Sequence, residues 1–525
     1  MYKQAGRRLQ QLLDTRGAQA FEGRQIGVEK ESLRVSPEGR ISPLAHPKVL
    51  GSALTHPYIT TDYSEAMLEF ITPPLMHTDE VISFLRNTQA YVYQQLHDEI
   101  LWATSMPCVL AGNNSIPLAQ YGHSNAGTMK TVYRRGLGHR YGRVMQVISG
   151  VHFNYSFPES FWSLYQQMED DSQPLQGFIS QEYFGLIRNL QRFGWIVSYL
   201  FGASPAVCKS FLGDAPTNLK SFNENTYYHP YATSLRMGDI GYQNNKENAV
   251  GVKVCYNHVD AYIQTLRQAI ETPCEKYEKI GVNVGGVYQQ LNANLLQIEN
   301  EYYSTVRPKQ LLQGNEKPVD ALSRRGVQYV ELRSLDVNAF DPLGINETQL
   351  RFLEAFMIFC LLQPSKDITP AEQKAIDENE LNVAHYGRDP ALKLRRDDKN
   401  ITLKNWAEEI CTEMQGICEM LDSHHENSPY CDSLAKQCEK IQHPDVTPSA
   451  IMLDTMSEHK EGFYHFAKRM SQQHNDYFCQ VKLNKKTQQF YQQAAVDSLQ
   501  KQEQIEAADN VSFDDYLATY FAQQK

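Results

Sequence analysis

Three features of the 525-residue sequence predict an α+β fold. Strand-like runs in the first two-thirds alternate polar and apolar residues with period 2, unlike the continuous Val/Ile runs of a buried parallel sheet. Long connections of helical periodicity separate them, and the last third is polar and helical almost throughout. The sheet expected is antiparallel or mixed, with one wet face and a surround of helices.

In chain order, MYKQAGRRLQQLLDTRGAQAF is amphipathic at helical spacing through Leu9, Leu12 and Leu13, without the apolar core or cleavage site of a signal peptide. Gln25 to Val35 and Glu65 to Ile71 read as strands, followed by a helix over 77–98. Val144 to Phe157 is the next strand, with helices over 176–200 and 258–271 after it. Gln290 to Ile298 and Val327 to Val337 complete the strands, and a helix over 346–363 follows. From about 365 the composition shifts toward Lys, Glu, Gln, Asp and Asn, and helices are expected over 403–421, 430–441, 450–475 and 484–507. Pro364, Pro370 and Pro390 make 364–402 the candidate boundary. It divides a core, residues 1–363, from a mostly helical region, 364–525, packed on it.

With 50 basic against 61 acidic side chains the chain carries a net charge of −11 and lacks the basic footprint of a nucleic-acid binder. No apolar run reaches the roughly 18 residues of a membrane span. The longest candidate, Phe352 to Leu362, is broken by Glu354. A soluble, cytoplasmic protein is the expectation. Ten scattered cysteines are too few for a disulfide scaffold and read as mostly reduced, buried thiols.

Four strand candidates carry chemistry. In IGVEKESLRV, Glu29 and Glu31 share a face with Cα atoms about 7 Å apart. In ITTDYSEAMLEFIT, Glu69 sits among apolar residues, an odd place for a carboxylate without a partner or metal, and Asp62 lies in the preceding turn. In ISGVHFNYS, His152, Asn154 and Ser156 face away from Val151, Phe153 and Tyr155. In VQYVELRSLD, Glu331 and Arg333 stand at i, i+2. Each motif alone is compatible with a solvated face, a structural histidine or a simple ion pair. Brought into one sheet, such faces need cations, and a hard, oxygen-seeking Mg²⁺ fits. An acidic metal cluster beside arginines points to phosphoryl chemistry. Further arginines come from YRRGLGHRYGR (Arg134, Arg135, Arg140, Arg143), which also reads as a basic loop, and from Arg236. Neither a dinucleotide fingerprint nor a P-loop occurs. Cys411, Cys418, Cys431 and Cys438 read as core positions of a helical hairpin, because seven-residue spacing separates each pair by about 10 Å.

As a set, IGVEKESLRV, LTHPYITTDYSEAMLEFITP, LAQYGHSN, KTVYRRGLGHRYG, ISGVHFNYSFP, RFGWIVSYLFGASPAVCKSF, YATSLRMGDIGY, LQIENEYYSTVRPK and VQYVELRSLDVNAFDPLG resemble the proteobacterial-type glutamate-cysteine ligases. The resemblance covers roughly residues 1 to 363, in order and at the family's spacing. It implies a curved antiparallel sheet forming a funnel, similar to the catalytic domain of glutamine synthetase. It also implies that ATP phosphorylates the side-chain carboxylate of glutamate and that the amino group of cysteine attacks the γ-glutamyl phosphate.

By the same resemblance, Glu29, Glu31, Asp62, Glu69, His152 and Glu331 hold Mg²⁺ ions, three in number, with Mn²⁺ as a substitute. Arg236 and Arg333 stabilise the transferring phosphoryl group. Gln146 and Asn154 lie along the glutamate subsite, and Tyr63, Tyr133, Arg134, Leu137, Tyr242 and Tyr303 line the cysteine subsite. Tyr63 departs from the family's usual Phe. Glutathione is the feedback inhibitor implied, the chain is expected to be monomeric, and neither nucleic acid nor membrane is a partner. The nearest rival is a related ligase joining glutamate to another amine. A catalytically silent binding protein would lack ligands that are present here.

Overall fold

A computed structural model describes residues 2–241 and 253–523. Seven strands form its main sheet: β1 Gln25–Val35, β2 Ile59–Thr61, β3 Met67–Ile71, β4 Ile100–Leu101, β5 Val151–Ser156, β6 Val306–Lys309 and β7 Tyr329–Leu335. Their order is β6-β7-β5-β1-β3-β2, with β4 paired to the end of β1, and every one of these pairings is antiparallel.

Period-2 alternation decides what each face meets. Ile26 and Val28 of β1, Leu68 and Phe70 of β3, Phe153 and Tyr155 of β5, and Val330 and Leu332 of β7 enter one continuous apolar core. Each such side chain contributes about 1.5–3 kcal/mol on leaving water. Lys30 projects into the same side, where Nζ donates to Ser32 Oγ at 2.6 Å and Gln89 Oε1 at 3.0 Å. The opposite, polar face is not broadly wet as expected: it walls a half-open cavity, and β1 is buried along nearly its whole length.

Seven helices matter below: α1 Thr78–Tyr93, α2 Asn125–Tyr141, α3 Glu347–Leu362, α4 Pro370–Tyr386, α5 Leu403–Asp422, α6 Pro429–Gln442 and α7 Phe513–Ala522. An Asn346/Gln349 capping box starts α3, and prolines open α4 and α6, where a missing N–H costs nothing. α3 is buried almost all round beneath the sheet, and its Glu354, fully buried, is held by Arg24 and by Tyr430 Oη at 2.7 Å. The same core continues through α5 and α6 and as far as Tyr491. Among the described residues no helix is long and apolar enough to cross a membrane.

Several expectations need correction. Gln290 to Ile298 is not a strand, because its amides are spent locally: Gln290 donates to Tyr277 O at 2.7 Å and Asn292 to Gln297 O at 2.8 Å. Val144–Val147 is a 3₁₀ turn, so the strand there starts only at Val151. Two long helices are split, one at Gly194, the other at 459–462, where Lys460 takes φ +52°. YRRGLGHRYG is helical, not a loop. Its glycines admit neighbours, since a Cβ at Gly136 would lie 2.2 Å from Gln297 Oε1 and one at Gly138 2.4 Å from Tyr63 Oη. Finally, Cys108 and Cys208 form a disulfide across 100 residues, with Cα atoms 5.6 Å apart. Eight thiols stay free, only Cys360, Cys411 and Cys418 of them buried.

Candidate active site

Strand register brings the polar residues together. Glu31 is paired with Glu69, Glu29 with His152, and Asn154 with both Gly27 and Glu331, while Arg307 pairs with Glu331. Directly paired residues share a face, so four motifs far apart in sequence line one cavity of about 610 Å³. Glu29, Glu31, Asp62, Glu69, His152 and Glu331 all line it, with Arg236, Arg333, Tyr63, Tyr133, Arg134, Leu137, Gln146 and Tyr303. Asn154 does not line it. Its amide donates to Glu29 Oε1 at 3.0 Å and braces that carboxylate from beside the cavity. Tyr242 lies outside the described residues.

At the centre, ligand atoms of Glu29, His152 and Glu331 lie within 4.8 Å of one another. His152 Nδ1 stands 3.0 Å from Glu29 Oε2 and 3.9 Å from Glu331 Oε1, and Nε2 stands 3.9 Å from Glu31 Oε1. Gly150 N–H donates to Glu31 Oε2 at 2.6 Å. Glu331 is flanked by Lys309 Nζ and Arg333 Nη1, each at 3.2 Å. Burial raises Glu29, but the His152 hydrogen bond and the Lys309 charge outweigh it and hold the carboxyl below its ordinary range. Burial likewise opposes ionisation of Glu331, and Lys309, Arg333 and His152 overcome it. Glu31 goes the other way, pushed up to about 8 by burial and then by the Asp62 charge. Glu69 rises well above its ordinary value from burial and the charges of Glu29, Asp62 and Glu31. Burial and then Arg333 lower His152, keeping a ring nitrogen available as a ligand.

Carboxylate oxygens and one imidazole, crowded until some carboxyls retain protons, make a donor set that fits a hard divalent cation. The charge such an ion brings would reverse the repulsion that raises Glu31 and Glu69.

Cationic groups border the acids. Arg236 Nη1 lies 3.6 Å from Asp336 Oδ1, and its Nη2 donates to Arg333 O at 2.9 Å. A Cβ at residue 150 would stand 2.1 Å from Arg236 Nη2, so Gly150 is what lets this guanidinium reach the cavity. Of the four arginines in 134–143 only Arg134 lines the cavity. Its Nη2 lies 3.6 Å from Asp62 Oδ1, and its guanidinium sits 4.6 Å over the Tyr121 ring. Arg140 is consumed structurally, donating to Glu301 and Gln290 at 2.9 Å.

Sequence reasoning missed Arg307, Lys309, Tyr516 and Tyr520, all of which line the cavity. The first two stand at i, i+2 in the STVRPK motif, the same signal that marked Glu29 and Glu31, although Pro308 between them obscures the strand. Tyr516 falls in EAADNVSFDDYL, the stretch of the last third with a faint resemblance to the family, but that resemblance assigns neither tyrosine a place in the site. They reach the cavity because α7 packs on α2 through Leu517, Met129 and Val132, and Asn315 donates to Tyr516 Oη at 2.8 Å.

A family model described as glutamate-cysteine ligase matches residues 9–383. A glutamate–cysteine ligase from Alcanivorax borkumensis is 48% identical over 524 residues, 99% of each chain. Another, from Pseudomonas putida, is 45% identical over 496 residues, covering 94% of each. Among solved structures, the chain resembles a glutamate–cysteine ligase from Francisella tularensis in complex with AMP, with TM-score 0.88 and 36% identity over 95% of this chain and 97% of that one. A bifunctional glutathione synthetase from Pasteurella multocida shares the fold, with TM-score 0.72 and 24% identity over 90% of this chain and 55% of that one.

Proposed function

The chain belongs to the glutamate-cysteine ligase family, and from that premise we propose how its residues divide the work of the reaction. It joins L-glutamate to L-cysteine to give γ-glutamylcysteine, the first step of glutathione biosynthesis. ATP is the energy source in our reading: it phosphorylates the γ-carboxylate, and the cysteine amine displaces phosphate from the acyl phosphate. No nucleophile from the protein is needed, so positioning and electrostatics carry the rate.

Glu29, Glu31, Asp62, Glu69, His152 and Glu331 hold the divalent ions, three Mg²⁺ or Mn²⁺ in their place. Bound there, the ions neutralise the triphosphate and the charge that develops on the transferring group. The geometry of Glu29, His152 and Glu331 is the observation that carries this assignment. Arg236 and Arg333 contact the transferring phosphoryl group, and Lys309 and Arg307 on the neighbouring strand hold phosphate oxygens. Gln146 contacts glutamate, and Asn154 acts by bracing Glu29. Tyr63, Tyr133, Arg134, Leu137, Tyr303 and Tyr242 form the cysteine subsite.

The same reading makes the enzyme a cytoplasmic monomer, with residues 1–363 as catalytic core and 364–525 as helices packed on it. Glutathione, which contains the γ-glutamyl group, competes with glutamate. Raised KM for glutamate at constant kcat is the expected effect, and kinetics indifferent to glutathione would remove that claim. Amine choice is tested by phosphate release with glutamate, ATP and Mg²⁺ across a panel of amines. Cysteine should stand well above the rest, and equal release with an unrelated amine would overturn the cysteine subsite.

A further inference from the structure

Among the described residues, Arg307, Lys309 and Arg333 reach the cavity from strands and Lys130 and Arg134 from α2, whereas Arg236 reaches it from a loop. Arg236 sits in the short 3₁₀ turn Leu235–Met237, at the end of a loop that cannot by itself fix a guanidinium. Both terminal nitrogens of its guanidinium are nevertheless anchored. Nη2 donates to the Arg333 carbonyl, and Nη1 faces the Asp336 carboxylate at 3.6 Å.

Asp336 follows directly on β7, and its side chain is fully buried. Its Oδ2 accepts from Ala203 N–H at 2.8 Å and Ser204 Oγ at 2.6 Å, and its Oδ1 accepts from Ser234 Oγ at 2.9 Å. Those donors belong to two other segments, which are joined to each other: Leu235 N–H donates to Ser204 O at 2.7 Å, and Ser204 N–H to Thr233 O at 3.2 Å. The far side of the loop is fastened to α4, where Thr233 N–H donates to Ala384 O at 2.9 Å and Thr233 Oγ1 to Val383 O at 2.8 Å. One carboxylate therefore ties the end of β7 to the 203–204 turn and to the arginine loop. A buried charge is costly unless hydrogen-bonded and paired, and here three hydrogen bonds and one guanidinium satisfy it.

We propose that Asp336 is a positioning residue for the ligase reaction: through Ser204, Ser234 and the guanidinium itself, it holds Arg236 in the orientation the transferring phosphoryl group requires. Asp336 does not line the cavity, so its effect on the reaction must pass through Arg236. It acts by removing the freedom Arg236 would otherwise lose on each turnover, which is preorganisation rather than binding. The inference rests on the phosphoryl-binding role given to Arg236 above.

A double-mutant cycle of Asp336→Asn and Arg236→Gln, read as kcat and as KM for glutamate, cysteine and ATP, tests it. Asn keeps the shape and removes the charge. Expected is a fall in kcat of about 10- to 100-fold for Asp336→Asn, the range usual for residues supporting a functional group, with every KM within about threefold. In the Arg236→Gln background the same change should cost little more. Additive losses in the two backgrounds, or a loss confined to thermal stability, would overturn the proposal. If Arg236→Gln alone left kcat intact, the Arg236 assignment itself would fail, a result distinct from Asp336→Asn being fully active beside a slow Arg236→Gln. Should Asp336→Asn not fold, Ser234→Ala deletes one hydrogen bond and keeps the charge pair: a lower kcat at constant KM supports the role, and unchanged kcat contradicts it.

Discussion

Glu31 and Glu69 stand directly opposite each other on β1 and β3, and both carboxyl groups open into the same cavity. Like charges so placed repel, and without a cation the pair retains protons that a bound ion would displace. Glu69→Gln is therefore expected to stabilise the metal-free protein by about 0.5–1 kcal/mol. It should also remove most of the rise in Tm that Mg²⁺ produces. Thermal melts in EDTA and in Mg²⁺ check both halves, and an undiminished Mg²⁺ shift would exclude Glu69 as a ligand.

Glu331 is 1% exposed and lies between Lys309 and Arg333, so removing its charge strands two cations as well as a ligand. Glu331→Gln should abolish ligase activity and also destabilise the chain, by about 3 kcal/mol if the buried pairs behave as others do. Denaturant unfolding beside an activity assay reads both. Wild-type activity at ordinary Mg²⁺ would refute the metal assignment.

The Tyr63 hydroxyl is buried without a hydrogen-bond partner and packs against Gly138. Replacing it by Phe removes an unsatisfied group and should stabilise the fold by about 1 kcal/mol. The hydroxyl faces Gly138 closely, so KM for cysteine should change by no more than about twofold, an effect of a few tenths of a kcal/mol. A tenfold change would show that this hydroxyl meets the substrate.

Burial lowers His474 to about 4, with the Lys30 charge adding to the effect. An unfolded histidine titrates near 6.5, so between roughly 6.5 and 4 the unfolded chain binds the extra proton. The contribution of His474 to stability is thus complete above about 6.5 and is lost as pH falls toward 4, at about 1.4 kcal/mol per pH unit. His474→Gln should narrow the gap in stability between pH 7.5 and pH 5. An identical gap in both proteins would show that His474 already titrates normally when folded.

Period-2 alternation in β1, β5 and β7 was enough to put Glu29 with Glu31, His152 with Asn154, and Glu331 with Arg333 on common faces. Which strands would be neighbours was not legible, because pairing depends on cores formed between distant segments. Neither was the expected wet face right, since Leu33, Val35 and Met67 carry a second apolar cluster over the same sheet. Asp336 was visible only as the end of a motif. Its role depends on Ser204 and Ser234, more than 100 residues away in sequence. Tyr516 and Tyr520 show the same limit: a helical last third packed on the core was expected, but which of its side chains reach the cavity depends on α7 lying against α2.

The most direct test is ADP release by the purified chain with ATP, L-glutamate and L-cysteine, with and without Mg²⁺. Release that requires both amino acids and disappears when Mg²⁺ is omitted is the predicted result. Release that persists without the metal, or that needs neither glutamate nor cysteine, would contradict the account.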